Sequence, residues 1–314
     1  MTVKKGTQSL PDGTTIRYEI HGSEHSSTVP IVLINGWTST KEDFQPLTTE
    51  LAKKRTVLVY DRRGIGESRL ANRKDDEEEP DHTLDLEAND VLDLLKALGG
   101  QFLKVNILGW SMGGHILQAL MLLPEAKPQK EGIEIKGIHV QKAILASTMP
   151  KVPKGDLKQS DLQHFLSQAG TNPKWKDELT EFLMSYQYDE NWMKQSENKS
   201  TFEERVKVSL TTRRPQSIIG SQMLAIQGRD TREELHKISE SLPVLIIHGK
   251  LDRMVKYSES DYFTKSIKSA KRLDMQPKTD QFGHFWFDYF GKEFWANKIE
   301  DYLQNGHSSA KAKL

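Results

Sequence analysis

The stretch Lys104-Val105-Asn106-Ile107-Leu108-Gly109-Trp110-Ser111-Met112-Gly113-Gly114-His115 carries the decisive pattern of this chain. A short apolar run over 105–108 leads directly into Gly-x-Ser-x-Gly, and a helical pattern over 112–123 follows at once. That order places Ser111 on a sharp turn between a buried strand and a helix. Gly109 and Gly113 remove the side chains that would collide there. The helix beyond points free N–H groups and a positive dipole end at the serine. A bare Gly-x-Ser-x-Gly arises often by chance, but strand before and helix after give it the setting of a nucleophile.

Working outward, the first half of the chain alternates strand and helix signals. Residues 14–20 alternate apolar and polar after the turn Pro11-Asp12-Gly13. Apolar runs at 31–34 and 56–60 flank a helical stretch over 47–54. Residues 85–98 place Leu86, Val91, Leu94, Leu95 and Leu98 at helical spacing, stopped by Gly99-Gly100. Another buried strand follows at 142–146. Short apolar strands separated by amphipathic helices indicate βαβ units and a parallel sheet covered on both faces. From about 150 to 241 the pattern becomes purely helical, over 157–169, 173–186, 201–212, 215–227 and 231–241. Residues 243–247 then restore a strand, 257–269 a helix, 271–275 a strand and 287–303 a last helix. The expected organisation is a core of residues 1–149 and 242–304, a helical cap of residues 150–241 laid over it, and a flexible tail of residues 305–314.

Four segments together resemble the α/β-hydrolase superfamily, over nearly the whole chain. Val32-Leu33-Ile34-Asn35-Gly36-Trp37 is similar to the family's strand ending in His-Gly-x, whose third residue donates an oxyanion-hole N–H. Asp61-Arg62-Arg63-Gly64-Ile65-Gly66-Glu67-Ser68 resembles its D-x-R-G-x-G-x-S turn. The serine turn is the third match. The fourth joins Val244-Leu245-Ile246-Ile247-His248-Gly249-Lys250-Leu251-Asp252, which delivers an acid, to Gly283-His284-Phe285, which delivers a base. The resemblance implies a mostly parallel sheet flanked by helices, with the cap inserted after the sixth strand. It implies Ser111 as nucleophile, His284 as base, Asp252 as acid in preference to Asp274 and Asp280, and the Trp37 and Met112 amides as oxyanion donors. Asn35 departs from the family, which usually has histidine there. Of the other histidines, His248 is expected to be structural and His115 to pack behind the serine. Epoxide hydrolases and haloalkane dehalogenases of this fold carry aspartate at the elbow, so a serine argues against both.

The implied reaction is hydrolysis of a carboxylic ester, lactone or acyl bond through an acyl-enzyme, on a small to medium apolar substrate. The alternatives are a carbon–carbon bond hydrolase, or a hydrolase-fold ligand-binding protein that retains the triad. The cap offers Phe165, Phe182, Leu183, Trp192, Met193 and Met223 as apolar lining. Asn35, Trp110, Phe165, Trp192 and Met223 are the candidates for substrate contact.

Composition narrows the field. The 314 residues hold 44 basic and 44 acidic side chains, so no polycation is present to track nucleic-acid phosphates. Zero cysteines exclude disulfides and thiolate chemistry. No apolar run approaches the ~18 residues of a membrane span, and the N-terminal residues lack the apolar core of a secretory signal. No metal-ligand spacing and no dinucleotide-type glycine turn is found, so no cofactor is implied. The acidic run over 75–79 reads as a solvated loop, and Asn198-Lys199-Ser200 as a glycosylation match without a secretory route. Ala312-Lys313-Leu314 resembles the peroxisomal Ser-Lys-Leu signal. The expected partner is therefore a peroxisomal import receptor, and the expected address the peroxisome or otherwise the cytoplasm.

Overall fold

Ten strands form one sheet in the computed structural model, which describes residues 2–73, 81–168 and 171–306. The acidic run over 75–79 and Ala312-Lys313-Leu314 lie outside the described residues. Strands β1 (Val3–Ser9), β2 (Thr15–His21), β3 (Ile31–Ile34), β4 (Val57–Tyr60), β5 (Lys104–Trp110) and β8 (Ile138–Ala146) run in the order β1-β2-β4-β3-β5-β8. Beyond β8 the edge divides. Its first part pairs with β7 (Ile133–Ile135) of the small hairpin made with β6 (Lys127–Pro128). Its second part pairs with β9 (Val244–Ile247), which in turn pairs with β10 (Ala270–Arg272). Pairings from β4 through β3, β5, β8 and β9 to β10 are parallel; those of β1, β2, β6 and β7 are antiparallel.

The central strands are buried on both faces, which is why they read as continuous apolar runs. Val32, Ile34, Leu58, Val105 and Ile107 pack under helices α2 (Leu84–Leu98) and α3 (Met112–Met121). Ile31, Leu33, Val57, Val59 and Leu108 pack on the other face with helices α1 (Leu47–Leu51) and α10 (Lys292–Asn305). Helix α9 (Ser260–Ser266) lies between β9 and β10.

Among the described residues, five α-helices separate β8 from β9: α4 (Gln159–Leu166), α5 (Trp175–Ser185), α6 (Glu190–Lys194), α7 (Lys199–Thr211) and α8 (Gln216–Gln227). They follow the eighth strand rather than the sixth, because the antiparallel hairpin β6–β7 is added ahead of β8. Residues 231–241, expected as a helix, make only the single turn Leu235–Lys237. Thr231 N–H donates to Pro150 O and Ser241 N–H to Ser239 Oγ, so the backbone at both ends of this segment finds partners other than those of a continuous helix. Helix α10 starts at Lys292 and not at 287, since Gly291 turns the chain with φ at 87°.

Register brings the functional loops together. Ile34 pairs with Gly109, Gly109 with Leu145, and Leu145 with Ile246. The loops leaving β3, β5, β8 and β9 therefore open side by side at the carboxyl edge, where open parallel sheets place their ligands.

Candidate active site

Ser111 is the hinge between β5 and α3, with φ 55° and ψ −124°, a conformation L-residues adopt at a cost of about 1–3 kcal/mol. The flanking glycines are obligatory. A Cβ on Gly109 would lie 2.3 Å from Gly113 O, and one on Gly113 would lie 2.0 Å from Ile34 O. The Ser111 backbone is tied at both ends, its N–H donating to Ala146 O at 2.9 Å and its carbonyl accepting from Thr148 Oγ1 at 2.6 Å. Although Ser111 stands at the N-cap of α3, its hydroxyl makes no capping bond. The backbone is fixed while, among the described residues, Oγ makes no capping bond.

Asp252 follows β9 through the turn at Gly249. Its Oδ1 accepts from Met254 N at 2.9 Å and Val255 N at 2.8 Å, which leaves Oδ2 for histidine. His284 Nδ1 lies 2.8 Å from Oδ2, and His248 Nε2 lies 3.5 Å from the same oxygen. Burial works against a charge on Asp252, but the neighbouring His284 and His248 more than offset it and hold the carboxyl well below the usual carboxylate range. Of the aspartates weighed in the sequence, Asp252 is the one that meets His284. Asp274 instead accepts from Gln276 N, and Asp280 pairs with Lys250.

His284 is buried and held by its backbone. Its N–H donates to Gln187 O at 2.8 Å, and its carbonyl accepts from Trp110 Nε1 at 3.1 Å. With Nδ1–H directed at Asp252, Nε2 is the ring atom left to accept a proton. His248 Nε2 also faces Val255 O at 3.0 Å, so this histidine braces the acid's loop. His115 is fully buried on α3, where burial and then Arg229 push its pKa down to about 3; it is neutral at ordinary pH.

The loop after β3 lies against the elbow. Among the described residues, neither the Trp37 nor the Met112 N–H donates to a backbone carbonyl. Helix α8 braces this loop from above: Trp37 Nε1 donates to Ile219 O at 3.0 Å and Thr38 N to Gln222 Oε1 at 3.1 Å.

The proposed substrate contacts separate into two groups. Asn35 and Trp110 are buried, at 1% and 2% exposure, with their polar groups engaged inside the protein. Asn35 Nδ2 donates to Tyr60 O and its Oδ1 accepts from Arg62 Nε; Trp110 holds the His284 carbonyl. Both support the site from behind. Phe165 packs against Phe182 in a tilted pair, with centroids 4.8 Å apart, and Met223 is half-buried on α8 beside Gln222. Trp192 stacks on Tyr188 at 4.0 Å and borders a cavity of about 1150 Å³ that also touches Arg205, Phe287 and Tyr289. None of Ser111, Asp252 and His284 lines that cavity.

Sequence reasoning missed the struts. Arg205 on α7 forms a two-pronged pair with Asp288 and donates to the carbonyls of Asp43 and Gln45, fastening the helical segment to the core. A lone arginine in a helix carries no signal of such partners. Being fully engaged, it is not a free cation for an acidic substrate. Among the described residues, no three of His, Cys, Asp or Glu gather as metal ligands, and no helix is long and apolar enough to cross a membrane.

A model of the family described as serine aminopeptidase, S33, matches residues 26–279. The mouse (Mus musculus) protein named serine hydrolase BPHL is 27% identical over 304 residues, covering 93% of this chain and 84% of its own length. An esterase from Exiguobacterium antarcticum superposes with a TM-score of 0.72 at 19% identity, covering 96% of this chain and 100% of that one. The enol-lactonase from Burkholderia xenovorans LB400 superposes at 0.71 with 20% identity, over 95% and 100%. At these identities the structural likenesses establish the fold.

Proposed function

The chain belongs to the serine aminopeptidase S33 family and is a serine hydrolase-type α/β hydrolase, and from that premise we propose that it cleaves carboxylic esters or lactones of small to medium apolar acids through a Ser111–His284–Asp252 triad. The observation that carries this reading is the buried His284–Asp252 pair at 2.8 Å, at the same sheet edge as a serine held in a strained turn with its hydroxyl making no capping bond.

The chemistry follows from the atoms. Ser111 Oγ attacks the acyl carbon while His284 Nε2 takes the hydroxyl proton, and Asp252 keeps the opposite nitrogen protonated and steadies the imidazolium. The carbonyl oxygen becomes an oxyanion facing the Trp37 and Met112 N–H groups; a donor of this kind is worth about 3–4 kcal/mol in the transition state. The C–O bond to the leaving alcohol breaks as His284 returns the proton to it. Water then attacks the acyl-serine, giving up its proton to His284, and the acid leaves as Ser111 regains its hydrogen.

In this reading residues 150–241 act as the cap that selects the acyl group. Support comes from α8, which touches the Trp37–Thr38 loop directly, and from the aromatic file of Phe165, Phe182 and Tyr186 on α4 and α5 and just beyond. The test is turnover of p-nitrophenyl esters from acetate to decanoate, and of simple lactones, by wild type and Ser111→Ala. The reading requires turnover that vanishes in Ser111→Ala. A wild type inert on the whole panel contradicts it.

A further inference from the structure

We infer that Arg62 is a positioning residue for the oxyanion hole, setting the direction of the Trp37 N–H from behind; this rests on the serine-hydrolase reading above. Arg62 occupies the variable second place of the Asp61–Ser68 turn, and its guanidinium is 1% exposed. Its NH2 nitrogen donates to Gly36 O at 2.7 Å, Nε to Asn35 Oδ1 at 3.0 Å and NH1 to Glu87 Oε1 at 2.6 Å. The NH1 nitrogen also lies 3.5 Å from Met112 Sδ. One side chain thus touches Met112, one of the two residues assigned to the hole, and Asn35 and Gly36, the two residues that precede the other.

The geometry of a peptide unit gives the contact its consequence. Gly36 C=O and Trp37 N–H belong to the same planar trans peptide and point in opposite directions. Drawing the carbonyl onto Arg62 therefore turns the N–H to the other side. Ser111 lies close against that peptide: a Cβ on Gly36 would sit 3.1 Å from Ser111 Cβ. A carbonyl accepting a charge-assisted bond also polarises its own N–H into a better donor. The guanidinium is held in place by Glu87. Burial disfavours the Glu87 carboxylate, yet Arg62 and His82 outweigh that and bring its pKa down to about 2. Asn35 completes the clamp, its amide oxygen on Arg62 and its nitrogen on Tyr60 O. Asparagine suits this place, because a histidine taking up a proton here would meet the guanidinium. The Glu87 pair offsets the charge of the buried arginine; the further bond to Gly36 O is the one that reaches the reaction.

The experiment uses the full-length protein, Arg62→Lys, and the double variant Arg62→Met with Glu87→Gln, which leaves no uncompensated buried charge. Each is measured for kcat and KM on a p-nitrophenyl ester, for affinity toward a trifluoromethyl ketone that forms a hemiketal oxyanion with serine, and for thermal midpoint. The expected result is kcat lower by about 10²-fold, as for loss of one oxyanion donor, with KM within about threefold. Trifluoromethyl-ketone affinity falls by a similar factor in protein that remains folded. A purely structural arginine would lower active-site concentration and leave kcat per folded molecule and ketone affinity unchanged, and that result overturns the inference. Wild-type protein with neither ester turnover nor ketone binding would overturn the hydrolase reading, and the inference with it.

Discussion

Replacing Asp252 by asparagine should disable the site through the tautomer of His284, leaving the fold intact. The side chain keeps its size, and its oxygen can go on accepting from Met254 N and Val255 N, which now fix which end of the amide is oxygen. Nδ2 is then forced to face His284 Nδ1 across the present 2.8 Å. Two donors cannot share that gap, so the ring hydrogen moves to Nε2. The nitrogen needed as base becomes a donor, and the anion that would stabilise the imidazolium is gone. In serine proteases the equivalent change costs about 10⁴ in kcat, or about 5.4 kcal/mol at 1.36 kcal/mol per decade. A loss of that size is expected here. The His284 backbone stays anchored by Gln187 O and Trp110 Nε1, so KM and thermal midpoint should move little. Steady-state kinetics on p-nitrophenyl butyrate, beside Asp274→Asn and Asp280→Asn, checks this; those two should stay within about tenfold of wild type. A fully active Asp252→Asn, or a crippled Asp280→Asn, refutes the reasoning.

Three further outcomes follow from the same geometry. Ser111→Gly should abolish turnover yet raise stability by about 1 kcal/mol in urea denaturation, because glycine adopts φ 55° without strain; a lower midpoint would count against strain at the elbow. Trp110→Phe removes the bond to His284 O while keeping an aromatic ring, so kcat should fall severalfold, with a stability loss of about 1 kcal/mol by thermal melting. The Glu87 carboxyl is held near 2 in the folded state against about 4.3 when unfolded, so its stabilisation is complete above the unfolded value and is lost as pH falls through 4 toward 2. It follows that acid titration of stability should flatten over that interval in Glu87→Gln, and an unchanged profile would show that Glu87 is not the group responsible.

The elbow was legible because its causes are local. Glycines at 109 and 113, a strand before and a helix after are all read within a dozen residues, and the clashes at Gly113 O and Ile34 O show why no other residue fits. Asp252 and His284, which lie 2.8 Å apart, could be nominated together because each leaves a strand or loop in a fixed chain order. The roles of Asn35 and Trp110 were not legible. Whether a side chain beside the nucleophile faces substrate or core depends on partners 25 and 174 residues away, at Tyr60 and His284. The struts of the helical segment escaped for the same reason, since Arg205 finds Asp288 from 83 residues off. The hairpin β6–β7 is short, and no periodicity can announce a two-residue strand.

The central claim is that Ser111 is the nucleophile, and covalent trapping tests it most directly. Protein treated with a fluorophosphonate, followed by intact mass and peptide mapping, should carry one phosphonyl group, placed on Ser111. Labelling should be absent in Ser111→Ala and much slowed in Asp252→Asn. Unmodified wild-type protein, or an adduct that persists in Ser111→Ala, would contradict the account.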